Sequence, residues 1–248
     1  MLSSTRMQLK HIDLLPVKLF ISSVILFVSI KGYPQQHENI FKYNYIDILY
    51  GVAYEPEDYN AINHPFYLED KIYKANLWFE GNKISDVYLK YDLYKQVLVL
   101  YQNYNTNKFR FIQVNSDGVQ KIEILDETGQ VHLLVPYWEY PELFNKIVFY
   151  EKIYSNRITF LVGRLKAFDE LASETKNKFS ERQKGYLIIN GKITEVKNKK
   201  DILGLFIDHK KEVKSFIKKN KLKIKLTNTS DVADLITYYE SLIKNNTN

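Results

Sequence analysis

Five histidines, His11, His37, His64, His132 and His209, are the residues most able to ligate a metal or act as a base in this chain. None falls in an H-E-x-x-H or other paired spacing, and cysteine is absent, so a zinc site has no local frame. His11 belongs to the extreme N-terminus, and the other four fall in separate elements. His64, directly before Pro65, reads as a loop residue. Nucleophilic catalysis has no motif either: nine glycines yield no G-x-S-x-G, P-loop or G-x-G-x-x-G. A Ser-His-Asp set drawn from distant segments stays open, but no local pattern selects one.

Carboxylates beside aromatic rings are the remaining route to chemistry. Glu55, Glu57 and Asp58 cluster near Tyr54 and Tyr59, and Glu69-Asp70 lead into a segment containing Trp78. Glycan hydrolysis needs two carboxylates about 5–10 Å apart in a cleft, with rings to stack sugars. Acid–aromatic neighbours are also common in tyrosine-rich β proteins, so solvated loops are the first reading here. The sharpest non-enzymatic feature is a lysine cluster: Lys210, Lys211, Lys214, Lys218, Lys219 and Lys221 crowd one helical segment. Its other face is Val213, Phe216 and Ile217. Such a helix can contact an anionic membrane surface, or it can be a solvated face packed on the body. The cluster is lysine-only, without the arginine expected of base readout, which argues against nucleic acid. No cofactor is indicated.

The elements that must position these residues begin with a segment that reads as an address. Arg6, Lys10 and Lys18 precede an uncharged apolar run from Leu19 to Ile30, which ends at Lys31-Gly32-Tyr33-Pro34. A basic region, a short apolar run and a helix-breaking exit predict a signal peptide over residues 1–32, with Met7 as an alternative start. The run is about 12 residues, short of the roughly 20 that span a bilayer. Export to the periplasm or envelope is therefore expected. With no cysteine the exported chain must be held by its core alone, and no lipid can be attached to a cysteine. The composition is 45% hydrophobic and 15% aromatic, with 20 Tyr and 14 Phe, which excludes disorder and suits half-buried sheet faces.

Net charge is +6, but it is unevenly placed. Residues 1–32 carry +3, residues 33–196 carry −3, residues 197–225 carry +8 and residues 226–248 carry −2. The basicity thus describes one helical patch and not the whole molecule.

From Lys71 to Val196 the chain breaks into short apolar-aromatic runs separated by turn residues. Lys71–Glu80 stops at Gly81-Asn82, and Lys108–Val114 stops at Asn115-Ser116-Asp117-Gly118. Val119–Leu125 and Val131–Val135 flank Glu127-Thr128-Gly129. The clearest hairpin is Tyr186–Ile189, Asn190-Gly191, Lys192–Val196, with a type I′ turn at Asn-Gly. The polar interval 166–184 reads as a long loop or short helix crossing between strands. After Val196 the period changes. Ile202, Leu203, Leu205 and Phe206 mark one helix. Val213, Phe216 and Ile217 mark a second, with Asp208 as its cap. Val232, Leu235, Ile236, Tyr239, Leu242 and Ile243 mark a third, capped by Ser230 or Asp231. The expected class is α+β: a mainly antiparallel meander sheet, curved or half-barrel, followed by two or three C-terminal α-helices. The expected organisation is a signal peptide (1–32), a β-rich domain (33–196) and a helical segment packed on it (197–248).

Two blocks carry a resemblance. One runs from Asn63-His64-Pro65-Phe66-Tyr67-Leu68 through Trp78-Phe79-Glu80-Gly81 to Leu89-Lys90-Tyr91-Asp92-Leu93-Tyr94. The other runs from Gly185-Tyr186-Leu187-Ile188 through Lys199-Lys200-Asp201-Ile202-Leu203 and Lys219-Asn220-Lys221-Leu222 to Leu235-Ile236-Thr237-Tyr238-Tyr239. The pattern resembles a group of uncharacterised exported proteins common in Bacteroidota. That resemblance implies an envelope protein and brings no activity or catalytic residues with it. The leading expectation is a non-enzymatic binding or structural module with an envelope protein as partner. A carrier holding an apolar ligand in a curved sheet comes next. A glycan or peptide hydrolase is third.

Overall fold

The computed structural model describes residues 51–245 apart from 57–58, 105–107, 144–145 and 171–175, so the signal peptide expected over residues 1–32 lies outside the described residues. Hairpin tips set the register of the strands. Asn190 and Gly191 adopt φ of 50° and 77°, the left-handed pair that a type I′ turn requires. Their twist brings Ile189 opposite Lys192 and Ile188 opposite Ile193. Glu80 and Gly81, at 47° and 81°, turn the first long hairpin in the same way.

Eleven strands result: β1 (Val52–Ala53), β2 (Tyr73–Phe79), β3 (Asn82–Asp92), β4 (Val97–Tyr104), β5 (Lys108–Gln113), β6 (Val119–Leu125), β7 (Val131–Pro136), β8 (Phe149–Ser155), β9 (Ile158–Asp169), β10 (Lys178–Ile189) and β11 (Lys192–Val196). They form one antiparallel sheet in the order β1-β5-β4-β3-β2-β6-β7-β8-β9-β10-β11. It is a meander apart from two crossings, one from β1 at the edge to β2, and one where Val114–Gly118 carries the chain from β5 to the far side of β2.

The sheet is strongly curled without closing. β3 and β9 stand five strand spacings apart, about 24 Å if the sheet were flat. Yet Lys166 N–H donates to the Leu93 carbonyl at 3.0 Å. Gln96 fastens the same corner. Its Nε2 donates to the carbonyls of Leu93 (2.8 Å) and Arg164 (3.0 Å), while its Oε1 accepts from the Tyr91 hydroxyl (2.6 Å) and Val148 N–H (3.0 Å). Asp92, fully buried beside it, accepts from the Tyr54 hydroxyl and the backbone N–H groups of Tyr94 and Lys95, each at 2.8 Å.

The interval 166–184 is a correction to the sequence reading. Strand β9 continues to Asp169 and β10 starts at Lys178, paired over twelve positions. Polarity misleads there because this stretch is strand whose charged side chains are exposed, at Lys178, Glu181, Arg182 and Lys184, or half-buried, at Lys166. Phe168 and Phe179 sit opposite one another and pack with Tyr59 and Tyr94, at ring separations from 5.0 to 6.4 Å.

Three helices come after the sheet: α1 (Lys199–Leu205), α2 (Lys210–Lys219) and α3 (Thr229–Asn245). Asn198 caps α1, accepting from Lys200 and Asp201 N–H at 2.8 and 3.3 Å. Asp208 does not cap α2. It sits in a 3-10 turn, Ile207–His209, and His209 occupies the cap position without its side chain capping the helix. Asp231 falls in the first turn of α3, where its carboxylate accepts from Lys223 N–H and the Asn228 amide (2.7 Å).

Two apolar cores share one face of the sheet. The first gathers Leu77, Leu89, Leu98, Ile122, Leu134 and Phe149. The second gathers Phe160, Val162, Leu187 and Phe206 with Val213, Ile217, Leu235 and Ile236 from the helices. A single cross-strand row, Leu134–Glu151–Val162–Gly185, runs from one to the other. The residue at its seam is charged.

Candidate functional site

Glu151 is 5% exposed at that seam, so its charge has to be met from inside the protein. Arg164 on β9 meets one oxygen: Nε and Nη2 donate to Oε2 at 3.1 and 2.9 Å. His132 on β7 meets the other, with Nδ1 at 2.8 Å from Oε1. Beyond them the network reaches two further carboxylates. Arg164 Nη1 donates to Glu181 on β10 (3.2 Å), and His132 Nε2 lies 3.1 Å from Asp126. Asp126 is itself built by the β6–β7 turn, where Oδ1 accepts from Thr128 N–H (2.8 Å), Thr128 Oγ1 (2.7 Å) and Gln130 N–H (2.9 Å).

Tyr67 closes the group from above. Its loop is strapped to the sheet by Tyr67 N–H to the Tyr91 carbonyl and Leu93 N–H to the Pro65 carbonyl. Lys166 Nζ, from β9, adds bonds to the carbonyls of His64 and Phe66 at 2.8 and 2.9 Å. The buried Tyr67 hydroxyl lies 3.0 Å from His132 Nδ1 and hydrogen-bonds Glu151.

The electrostatics arise from this geometry. Burial alone would raise the Glu151 pKa, but the His132 hydrogen bond and the Arg164 charge outweigh it and hold the carboxyl below its ordinary range. Burial would likewise depress His132, but its bonds to Glu151 and Asp126 win and its pKa is raised. Asp126 is lowered by its Thr128 and His132 hydrogen bonds. Tyr67 is pushed well above its ordinary value, by burial first and the Glu151 charge second. The cluster therefore sets a histidine of raised pKa and a guanidinium between three carboxylates.

These groups floor a polar cleft of about 320 Å³. Leu68 and Gln130 form its sides, and Thr227-Asn228-Thr229-Ser230, where the chain enters α3, forms its roof. Chemically it suits recognition better than proton transfer. Both His132 ring nitrogens face carboxylates, so no imidazole lone pair is free. Glu151 holds its proton too weakly to be a general acid near neutral pH. Arg164, by contrast, uses three of its five N–H donors on Glu151 and Glu181. Among the described residues no grouping of three or more His, Cys, Asp or Glu side chains could hold a metal ion.

The residues singled out from sequence lie elsewhere. Glu55 is exposed, and Glu57 and Asp58 are outside the described residues. Glu69 pairs with Lys71 at 2.8 Å and Asp70 with Lys90, both at the surface. Trp78 lies between Lys83 and Lys121, whose ammonium groups sit 5.0 and 3.8 Å from its ring, so it does not share a cleft with Glu69-Asp70. His64 accepts from Phe66 N–H at 3.2 Å, as a loop residue would. Lys210, Lys211, Lys214, Lys218, Lys219 and Lys221 are all exposed. The face that would hold an apolar ligand is instead filled by its own side chains, with Leu77, Leu89 and Leu98 at 0% exposure.

Sequence reasoning counted His132 among the five histidines without finding it a partner, and it missed Glu151 and Arg164. His132 interrupts the apolar run Val131-His132-Leu133-Leu134-Val135, and Glu151 and Arg164 directly follow the runs Val148-Phe149-Tyr150 and Phe160-Leu161-Val162-Gly163. A polar residue within or directly after such a run is the signal that could have found them. No helix among the described residues is long and apolar enough to cross a membrane. No protein family, curated protein or solved structure matches the chain.

Proposed function

We propose that this protein is an exported, non-catalytic binding module of the cell envelope that takes a small polar ligand in the cleft between β7–β10 and the start of α3. The observation that carries the reading is the state of the charges. They are already paired with one another, leaving hydroxyl, amide and residual guanidinium groups to meet a ligand. A neutral or zwitterionic molecule rich in hydroxyl or amide groups, such as a short peptide or glycan fragment, matches that lining. A strongly charged ligand would have to compete with pairs already made. Export rests on the pattern of residues 1–32, and an envelope location is where peptide and glycan fragments occur.

The test is NMR of the folded protein titrated with two probes, trialanine and di-N-acetylchitobiose. Saturable shifts at Gln130, Thr227 and Ser230 with at least one probe, absent from Ser230→Ala/Thr227→Val protein, are expected. Cleavage of a probe in the tube would replace this reading with a hydrolase. Silence at those positions with both probes would remove the cleft as a peptide or glycan site.

A further inference from the structure

Several lysines on the body of the molecule are answered by acids. Lys71 pairs with Glu69 and Glu127, Lys74 with Asp86, Lys121 with Glu123 and Lys152 with Glu139. The helical layer departs from this. Lys199 and Lys200 on α1 and Lys210 and Lys214 on α2 rim a groove of about 390 Å³ whose floor is Leu203. All four are exposed, and none has a carboxylate partner among the described residues. The acids nearest in sequence are Asp201, Asp208 and Glu212. Asp201 is occupied, accepting from Lys197 N–H at 2.8 Å, and Asp208 and Glu212 are exposed on the same elements. They leave residues 197–225 at eleven lysines against three acids.

Local structure explains some of these lysines and not others. Lys218 and Lys219 lie in the last turn of α2, where a positive charge complements the helix dipole. The four groove lysines and Lys211 serve no such role. Between them, in the turn that joins α1 to α2, Ile207 is 66% exposed. A protruding isoleucine set among unpaired lysines has the composition of an interfacial anchor.

The apolar side of α2 is already spent on the protein's own core. Val213 and Ile217 are buried there, and Phe216 stacks on Tyr238 at 4.0 Å. Any contact must therefore use the charged side of the helix together with Ile207. A single free anion would engage only the groove, whereas Lys211 and Ile207 extend the surface beyond it. A base-reading interface would call on arginine, which residues 197–225 lack.

We propose that this face docks the protein on an anionic bilayer, with Lys199, Lys200, Lys210 and Lys214 holding lipid phosphates and Ile207 entering the headgroup boundary. The docking face is separate from the cleft and does not depend on a ligand there. Flotation of the full chain with phosphatidylcholine vesicles, with and without phosphatidylglycerol, tests it. Every variant keeps the same N-terminus, so the apolar run Leu19–Ile30 contributes equally throughout.

Wild-type protein should float more strongly with the anionic vesicles, and the excess should fade as salt rises. A surface lysine is worth roughly a fivefold change in partitioning, so Lys199→Gln/Lys200→Gln/Lys210→Gln/Lys214→Gln should lower the excess by about 100-fold or more. Ile207→Ser should lower it by a smaller factor that salt does not change. Unaltered circular dichroism is expected for both variants, since all five side chains are exposed. Equal flotation on neutral vesicles, or an unaffected quadruple variant, would overturn the proposal. So would binding to polyglutamate with none to vesicles, which would assign the face to an acidic protein.

Discussion

Glu151→Ala should destabilise the protein by about 3–5 kcal/mol, because it strands Arg164 and His132, whose side chains are 16% and 9% exposed and whose least exposed carboxylate partner among the described residues is Glu151. In a chain of this size each kcal/mol moves the melting temperature by roughly 2–4 °C, so a fall of about 6–20 °C is expected. Arg164 would keep Glu181, but that contact reaches the surface and one nitrogen only. His132 would keep Asp126 through Nε2 and lose the carboxylate at Nδ1, where the Tyr67 hydroxyl would remain. Combining Glu151→Leu with Arg164→Met should cost less than Glu151→Ala alone, since it removes the pair instead of orphaning half of it. Melting curves of the two proteins check this. A loss below about 1 kcal/mol for Glu151→Ala would show that water replaces the carboxylate and that the seam is wetter than its burial implies.

The same network makes stability depend on pH in two directions. His132 has its pKa raised above the ordinary 6.5, so its contribution is complete below that value and lost as pH rises through the raised one. Glu151 has its pKa lowered from the ordinary 4.5, so its contribution is complete above that value and lost as pH falls through the lowered one. The network therefore supports the fold most fully between about pH 4.5 and 6.5. The melting temperature should decline from pH 6 toward pH 9, and His132→Gln should flatten that decline.

What was legible in the sequence, and what was not, divides along this seam. The sheet could be read because Asn190-Gly191 announces a left-handed turn, because Gly81-Asn82 ends the first long run, and because the runs between turns have strand length. The third helix could be read because Val232, Leu235, Ile236 and Tyr239 fall on one stripe, and all four are buried. Residues 166–184 resisted because Lys166 and Glu181, opposite one another, put charge where apolar alternation is expected. The cleft resisted for a topological reason. Tyr67, Asp126, His132, Glu151, Arg164 and Glu181 come from a loop, a turn and four strands, and only the register of β7 to β10 brings them together. No spacing rule spans such separations. The lysines were legible as a patch, but which face of α2 stays free was settled by packing.

Glu240 links these layers and supports the second large prediction. It projects from α3 into the sheet, 7% exposed, and accepts from the Tyr154 hydroxyl (2.9 Å), the Asn156 amide (2.8 Å) and Ile158 N–H (2.6 Å). One carboxylate thus gathers three donors at the β8–β9 hairpin, and Glu240→Ala leaves them unpaired. A buried unsatisfied donor costs about 1–3 kcal/mol, and more when its partner was charged, so a total near 3–5 kcal/mol is expected with partial rescue by water. Glu240→Gln keeps one acceptor oxygen and should lose less. The damage should also be directional. Phe206 stacks on Tyr239 at 4.0 Å, so loosening α3 loosens α1 with it, whereas the first core touches neither helix. Hydrogen exchange in Glu240→Ala should therefore accelerate over 199–219 and 229–245 while β2 to β4 stay protected. Because Thr227 to Ser230 roof the cleft, probe binding should weaken in step with that exchange. Equal acceleration in both cores would mean that the molecule unfolds as one unit and that α3 is not a separable lid over its polar seam.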